Sequence, residues 1–312
     1  MNGPDAAPCR PCPTDIPGSD PAPATALVLG GATGMLGQAL VRAAEARGWL
    51  VHTLGREDGP VSSPDWLEAR MAEIQPCYVF NAIAYTAVDD AEDHADEAYA
   101  LNKSFPDLLG RMVRGSATHL VHYGTDFVFN GKAHAPYTED DATEPLSVYG
   151  ASKLAGEQAL LAAAPDNACV LRTAWLFGPG RKNFVSTMLR LAASSPCLTV
   201  VHDQVGSPTF TTDLAAMSLA LAEIRATGVI HAVNGGQASW CELASEAVSL
   251  VNANAQVRPI TSGQWPQKAR RPAYSVLDTS RLTQLTGIRP RPWPQALRDY
   301  IFQSFAPRSE DH

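Results

Sequence analysis

Ala26-Leu27-Val28-Leu29-Gly30-Gly31-Ala32-Thr33-Gly34-Met35-Leu36-Gly37 is the stretch that decides the fold. A short apolar run ends in clustered glycines, and a helical pattern follows over residues 35–47. The GxxGxxG spacing at Gly31, Gly34 and Gly37 is weak alone, since glycines gather in any loop. Between a strand and a helix it acquires a mechanism. The glycines allow a tight turn, close backbone approach to a pyrophosphate and close helix packing, while the helix N-terminus offers free N–H groups to the anion. Gly31, Thr33, Gly34, Met35, Leu36 and Gly37 are therefore the expected phosphate cradle of a dinucleotide.

Outward from this loop the pattern repeats. Strands are expected at 50–54, 78–81, 119–123 and 168–172. Between them lie helices at 65–74, from an acidic start at 89–97 to residue 109, and at 148–163. Apolar strands alternating with helices predict a parallel sheet. After Trp175 the rhythm changes, with helices at 183–193, 213–226 and 241–252, a strand at 198–201 and a loop at 203–208. A strand at 229–233 reads as returning to the sheet, and the C-terminal stretch reads as Pro- and Arg-rich. The expected architecture is α/β: a Rossmann-type doubly wound parallel sheet with a smaller, mostly helical substrate-binding lobe. Residues 25–175 form the dinucleotide-binding domain, 176–312 mainly the lobe, and a cleft lies between them.

Composition narrows the function. Of 312 residues 45% are hydrophobic and 18% charged, enough apolar content for a sizeable core. Lys plus Arg total 24 against 32 Asp plus Glu, a net charge of -8. Such an acidic chain lacks the footprint of a nucleic-acid or anionic-membrane binder, and no apolar run is long enough to span a bilayer. Seven of the 24 prolines fall among residues 1–24, which hold one large apolar residue, Ile16. That tail is expected to be disordered, and it lacks the apolar region of a secretory signal. Its Cys9 and Cys12 form a lone CxxC, without the two further ligands zinc would need. Cys77, Cys169, Cys197 and Cys241 read as small hydrophobes. The expectation is a cytoplasmic protein without a metal site.

Two further patterns carry chemistry. An NAD-selective site would place Asp or Glu after the second strand, whereas this chain has Leu54-Gly55-Arg56. A guanidinium there suits a 2′-phosphate, so NADPH is preferred, with NADH possible. Tyr149-Gly150-Ala151-Ser152-Lys153 places a phenol and an ammonium on one helix face. The cation is expected to lower the phenol pKa and make Tyr149 a usable proton donor. Thr125, at a strand end 24 residues earlier, can hydrogen-bond the same carbonyl. Elsewhere plainer readings prevail. Trp240, Trp265 and Trp293 read as packing, His94 as a solvated residue, and Asp89, Asp90, Glu92 and Asp93 as helix N-terminal charge. His119 and His122, three apart on a strand, cannot share a metal.

With these residues in hand, the chain resembles the extended short-chain dehydrogenase/reductases, and among them the dTDP-4-dehydrorhamnose reductases. The resemblance runs from residue 26 to about 282. It rests on Asn81-Ala82-Ile83-Ala84-Tyr85-Thr86-Ala87-Val88-Asp89-Asp90-Ala91-Glu92, on Thr125-Asp126-Phe127-Val128-Phe129, on Arg172-Thr173-Ala174-Trp175, on Asn183-Phe184, on Asp203-Gln204-Val205-Gly206-Ser207-Pro208, and on Arg271-Pro272.

The resemblance implies NADPH-dependent reduction at C4 of a dTDP-linked 4-keto-6-deoxy sugar by a monomer or homodimer. Tyr149 would protonate the alkoxide, Lys153 hold the nicotinamide ribose, and Thr125 polarise the carbonyl. It further places Asn81, Ala82 and Ala84 beside the cofactor. Thr86, Val88, Asp126, Phe127 and Trp175 would lie against the sugar, and Asn183, Gln204 and Arg271 would face the nucleotide diphosphate. Two departures stand out: Phe127 replaces the family's usual tyrosine, and residues 57–63 replace its Asp-containing strand and loop. Two competing readings are an epimerase with tightly held NAD and the non-catalytic, NADP-binding regulatory subunit of methionine adenosyltransferase. Dehydration is disfavoured, because Phe127 cannot transfer a proton.

Overall fold

The computed structural model describes residues 23–251 and 254–305. Most of the Pro-rich tail, with Cys9 and Cys12, lies outside the described residues. The chain runs β1 (Thr25–Leu29), α1 (Met35–Ala46), β2 (Leu50–Leu54), α2 (Pro64–Ile74), β3 (Tyr78–Asn81), α3 (Ala95–Tyr99), α4 (Phe105–Val113), β4 (His119–Thr125), α5 (Val148–Ala163) and β5 (Ala168–Thr173). It continues through β6 (Leu176–Phe177), α6 (Phe184–Ala192), β7 (Cys197–Val201), β8 (Val205–Gly206), β9 (Thr209–Phe210), α7 (Thr211–Glu223), β10 (Gly228–His231), β11 (Ala238–Ser239), α8 (Trp240–Val251), β12 (Gln256–Ile260), α9 (Ser280–Thr286) and α10 (Trp293–Phe305).

The main sheet has the order β10-β5-β4-β3-β1-β2, with every pairing parallel. Successive strand residues point to opposite faces, so β1 feeds two cores. Ala26 and Val28 pack with Leu40 of α1 and Leu214 and Leu221 of α7. Leu27 and Leu29 pack with Leu67 of α2, Leu109 of α4 and Leu160 of α5. Burying each such leucine contributes about 1.5–3 kcal/mol. Helices cover both faces, which is why the strands read as continuous apolar runs. From β1 the chain passes to β2 on one side and then returns to β3 on the other. This reversal opens a crevice at the carboxyl ends of β1 and β3, where ligands bind in such folds.

A further core joins Phe177, Phe210, Leu243, Leu297 and Tyr300 behind that crevice. Three two-stranded pairings, β8 with β11, β7 with β12 and β6 with β9, brace the same region. No helix among the described residues is long and apolar enough to cross a membrane.

Two expectations need correction. The acidic stretch does not start one helix ending at residue 109. A 3-10 turn at Asp90–Glu92 precedes α3, a π-helical segment spans Ala100–Ser104, and α4 runs on to Val113. Pro106, which lacks a backbone N–H, sits in the first turn of α4, so the helix is re-started there. The C-terminal stretch, read only as Pro- and Arg-rich, holds α9 and α10. Trp265, expected to pack, is 52% exposed, whereas Trp293 is buried.

Candidate active site

A cleft of about 690 Å³ opens over the carboxyl ends of β1, β3 and β4. Its floor begins at the glycine loop. A Cβ on Gly37 would lie 2.2 Å from the Gly30 carbonyl oxygen, and one on Gly34 2.7 Å from it, so the loop folds tightly only without side chains. Gly34 caps α1 with no side-chain acceptor. Among the described residues, the backbone N–H groups of Met35, Leu36 and Gly37 have no acceptor, and all three residues line the cleft. First-turn amides aimed into a cleft are the donor set a pyrophosphate requires, so the cradle fits a dinucleotide.

Three other expected cofactor residues sit elsewhere. Gly31 is buried behind the loop, where a Cβ would meet the Thr53 methyl at 2.6 Å. Thr33 is exposed on the loop, and Arg56 is exposed just beyond β2. Neither lines the cleft, and among the described residues the Arg56 guanidinium has no polar partner.

Asn81, Ala82 and Ala84 form the wall at the end of β3. Asn81 lies 3.1 Å from His122 Nδ1 and accepts the Ile83 N–H at 3.1 Å, which fixes the turn leaving the strand. Farther on, Asn102 in the π-helical segment clamps this wall to α5. It accepts the Tyr85 N–H at 2.8 Å and donates to Ser152 Oγ at 3.0 Å.

Thr125, Tyr149 and Lys153 meet in the cleft. Ser147 caps α5 through the Gly150 N–H at 3.1 Å, and Glu92 accepts the Val148 N–H at 2.8 Å, so the helix start that carries Tyr149 is held twice. Phe127 packs edge-on against Tyr149, with ring centroids 5.5 Å apart. The expected lowering of the phenol pKa does not appear. Burial pushes Tyr149 up to about 12, Asp126 and Glu157 add to the rise, and a hydrogen bond with Thr125 opposes it. The Lys153 ammonium is instead engaged with the Tyr123 carbonyl. Burial lowers the Lys153 pKa, and Glu157 opposes that.

Asp126, 2% exposed, accepts from Ser275 Oγ at 2.6 Å and from Thr125 Oγ1 at 3.2 Å. Burial pushes its carboxyl up to about 6, partly offset by these hydrogen bonds.

Thr86, Val88, Phe127, Trp175 and Arg271 also line the cleft. Arg271 holds Asp89 through two bonds of 3.0 and 2.8 Å, and Asp89 also accepts the Ala269 N–H at 3.0 Å. Asp89 therefore latches one wall to another, and Glu92 supports α5. Neither is simply the helix N-terminal charge expected of it.

Asn183 and Gln204 are not brought to the cleft surface. Asn183 is the N-cap of α6, accepting the Ser186 N–H at 3.0 Å and donating to the Gly178 carbonyl at 2.8 Å. It meets cleft-lining residues through Met35 Sδ, at 3.8 Å, and the Arg181 carbonyl, at 3.3 Å. Gln204, 6% exposed, donates to Gln267 at 3.4 Å, and Gln267 in turn accepts from Arg271.

The cleft also recruits residues that sequence reasoning passed over. Trp240 lies in its wall, stacked on Trp175 with centroids 3.5 Å apart and planes 4° from parallel. Trp175 takes φ 49°, a left-handed conformation unusual for a bulky residue. Gly206 admits its indole, since a Cβ there would come within 2.6 Å of Trp175 Cε2. Nothing in the sequence separates Trp240 from a packing tryptophan. Arg181 and Lys182 line the mouth with no side-chain partner among the described residues. Their position immediately before Asn183-Phe184 was the available signal.

The model of the RmlD substrate binding domain matches residues 25–305. A probable dTDP-4,6-dihydroxy-2-methyloxan-3-one 4-ketoreductase of Streptomyces antibioticus is 45% identical over 273 residues, 86% of this chain and 92% of that protein. A dTDP-4-dehydrorhamnose reductase of Streptomyces griseus is 41% identical over 286 residues, 89% of this chain and 94% of that protein. The crystal structure of dTDP-4-dehydrorhamnose reductase from Bacillus anthracis in complex with NADP superposes with a TM-score of 0.86. It is 29% identical, and the match covers 91% of this chain and 100% of that one. A match across nearly all of the described residues, with a shared fold, leads to one conclusion: the chain belongs to the RmlD family, that of the dTDP-4-dehydrorhamnose reductases.

Proposed function

We propose that the protein reduces the C4 keto group of a dTDP-4-keto-6-deoxy-L-sugar, converting dTDP-4-dehydrorhamnose to dTDP-L-rhamnose with NADPH. One observation carries the reading. Thr125, Tyr149 and Lys153 converge in a single cleft with the free first-turn amides of α1. NADPH, when bound, supplies the hydride.

The chain's own residues do the rest. Met35, Leu36 and Gly37 donate backbone N–H bonds to the pyrophosphate, and Arg56 reaches the 2′-phosphate beyond β2. Lys153 holds the ribose hydroxyls. The Thr125 hydroxyl orients the C4 carbonyl. As C4 becomes a carbinol, the Tyr149 O–H bond breaks and its proton passes to the new alkoxide oxygen. A phenol raised to about 12 is fully protonated near neutral pH, so the donor is loaded before the substrate arrives. Trp175 and Trp240 form a flat apolar wall suited to the 6-deoxy edge of a sugar, while Arg181 and Lys182 at the mouth offer charge to a diphosphate. The domain division follows the same cleft, with 25–175 holding the cofactor and 176–312 mainly the sugar nucleotide. We further place the protein in the cytoplasm as a monomer or homodimer.

The 45% identical relative is named for a different dTDP-linked ketone, so a second keto sugar is the competing reading. The test is NADPH oxidation with dTDP-4-keto-6-deoxy-L-lyxo-hexulose made in situ, with product configuration read by NMR. Oxidation with the L-rhamno product is expected. No oxidation would redirect the assignment to another dTDP-keto sugar.

A further inference from the structure

We propose that Glu157 is a positioning residue of this reaction: its buried carboxylate, anchored by Arg172, fixes the charge of Lys153 and the strand end that bears Thr125. The proposal rests on the reductase reading above.

On α5, Tyr149, Lys153 and Glu157 follow at four-residue intervals and share one helix face. Glu157 is 1% exposed and Arg172 4%. Arg172 Nε donates to Glu157 Oε2 at 3.0 Å, and its guanidinium lies 5.3 Å from the Phe129 ring centroid. The other carboxylate oxygen, Oε1, is buried and makes no hydrogen bond of ordinary geometry, though the Thr125 backbone N–H also favours the ionised carboxyl. This oxygen presses on β4 where residue 124 has no side chain, for a Cβ on Gly124 would sit 2.3 Å from it. On either side of Gly124 the strand carries the Tyr123 carbonyl that receives Lys153 and the Thr125 hydroxyl that faces Tyr149.

Arg172 thus pairs with the carboxylate directly, while Lys153, one turn away on the same helix face, feels its charge without an ion pair. Burial alone drives an ammonium to lose its proton. At Lys153 burial acts in that direction, and Glu157 opposes it. Burial pushes the Glu157 carboxyl up, and Arg172 and Lys153 pull it down. A neutral carboxyl would leave Arg172 unpaired and Lys153 without a nearby counter-charge, which is costly in such an interior.

The other groups facing this layer come from several elements. They are Tyr149 on α5, His122 on β4, Asp126 just after it, Arg172 on β5 and His231 on β10. Burial and a neighbouring cation keep both histidines neutral near pH 7. Asp126 acts on Tyr149. Glu157 acts on both Tyr149 and Lys153, raising each.

The test follows kcat and NADPH affinity against pH in the wild type, Glu157→Gln and Glu157→Asp. Removing the carboxylate lowers the pKa of Lys153 and of Tyr149. The alkaline limbs of both profiles therefore move to lower pH by about 1 unit, and Glu157→Asp recovers part of the shift. Where Glu157→Gln fails to fold, Glu157→Asp alone carries the test, since it keeps the charge but draws it back from Lys153 and should show a smaller displacement in the same direction. Limbs that coincide with the wild type in the folded variants overturn the proposal, however far kcat falls at all pH values. A wild type that binds NADPH but does not turn over the keto sugar overturns the reductase reading instead, and the binding limb still reports on Glu157.

Discussion

Tyr149 is poised between two environments, a packed aromatic edge from Phe127 and an open cleft. If its hydroxyl supplies the proton, Tyr149→Phe should lower kcat by about 10²- to 10⁴-fold, the usual worth of a general acid. NADPH affinity should stay near that of the wild type, because the phenyl ring keeps its packing. Single-turnover NADPH oxidation and equilibrium binding separate the two, and near-normal turnover would sink the role. Arg56 sets a second residue-scale expectation. A charge-assisted hydrogen bond is worth about 1.5–3 kcal/mol, so Arg56→Ala should weaken NADPH binding by about tenfold or more. NADH binding should barely change. Equal losses for both cofactors would mean that the arginine does not read the 2′-phosphate.

At the scale of elements, the loop before α1 tolerates no added atom. Gly37→Ala would drive its methyl into the Gly30 carbonyl and the Gly31 Cα, both backbone atoms that cannot rotate away. The expected cost is about 1–3 kcal/mol of stability, measured by urea unfolding, together with weaker NADPH binding. Unchanged stability and affinity would show that the turn can open. Elements with a clean period were legible from sequence: β2, β3 and α5 fall at 50–54, 78–81 and 148–163 as expected. What was not legible gathers at prolines. Pro294 lies in the first turn of α10, a helix that the Pro- and Arg-rich pattern did not announce, and its missing N–H costs nothing there. Pro106 does the same for α4, yet the segment before it is π-helical, and no periodicity announces that.

Over the whole molecule, buried histidines set the response to acid. Burial lowers His119 to about 4 and His231 to about 3, with nearby arginines adding to the fall, and His122 lies well below its ordinary value. A histidine lowered in the folded state is protonated first in the unfolded chain, so stability falls as pH drops from about 6.5 toward 4. Asp126, raised to about 6 by burial, works in the opposite sense between its ordinary value and 6. His119 has no polar partner for either ring nitrogen. Between pH 8 and pH 5 it should account for about 2 kcal/mol of lost stability. His119→Leu should narrow the difference between those two pH values by that amount in denaturant unfolding. An unchanged difference would place the acid sensitivity elsewhere.

Sequence by itself determined what lies within one element or one turn. The glycine cradle, the alternating strands and the Tyr149/Lys153 pair follow from strand period and helix rise, which neighbouring residues set. Tertiary structure decided what meets across the sheet and across the cleft. Thr125 reaches Tyr149 because β4 and α5 pack together. Trp240 reaches Trp175 because Gly206 leaves room for the indole, and Asp89 finds Arg271 across 182 residues of chain. Asn183 and Gln204, expected at the cleft surface, are instead taken up by a helix cap and a loop. Glu157 shows the division most sharply. Its place on the face of Tyr149 and Lys153 is a matter of spacing, but its partner Arg172 lies on β5, in the sheet beneath that helix. Strand register and burial, which no local pattern encodes, bring that charge to the carboxylate.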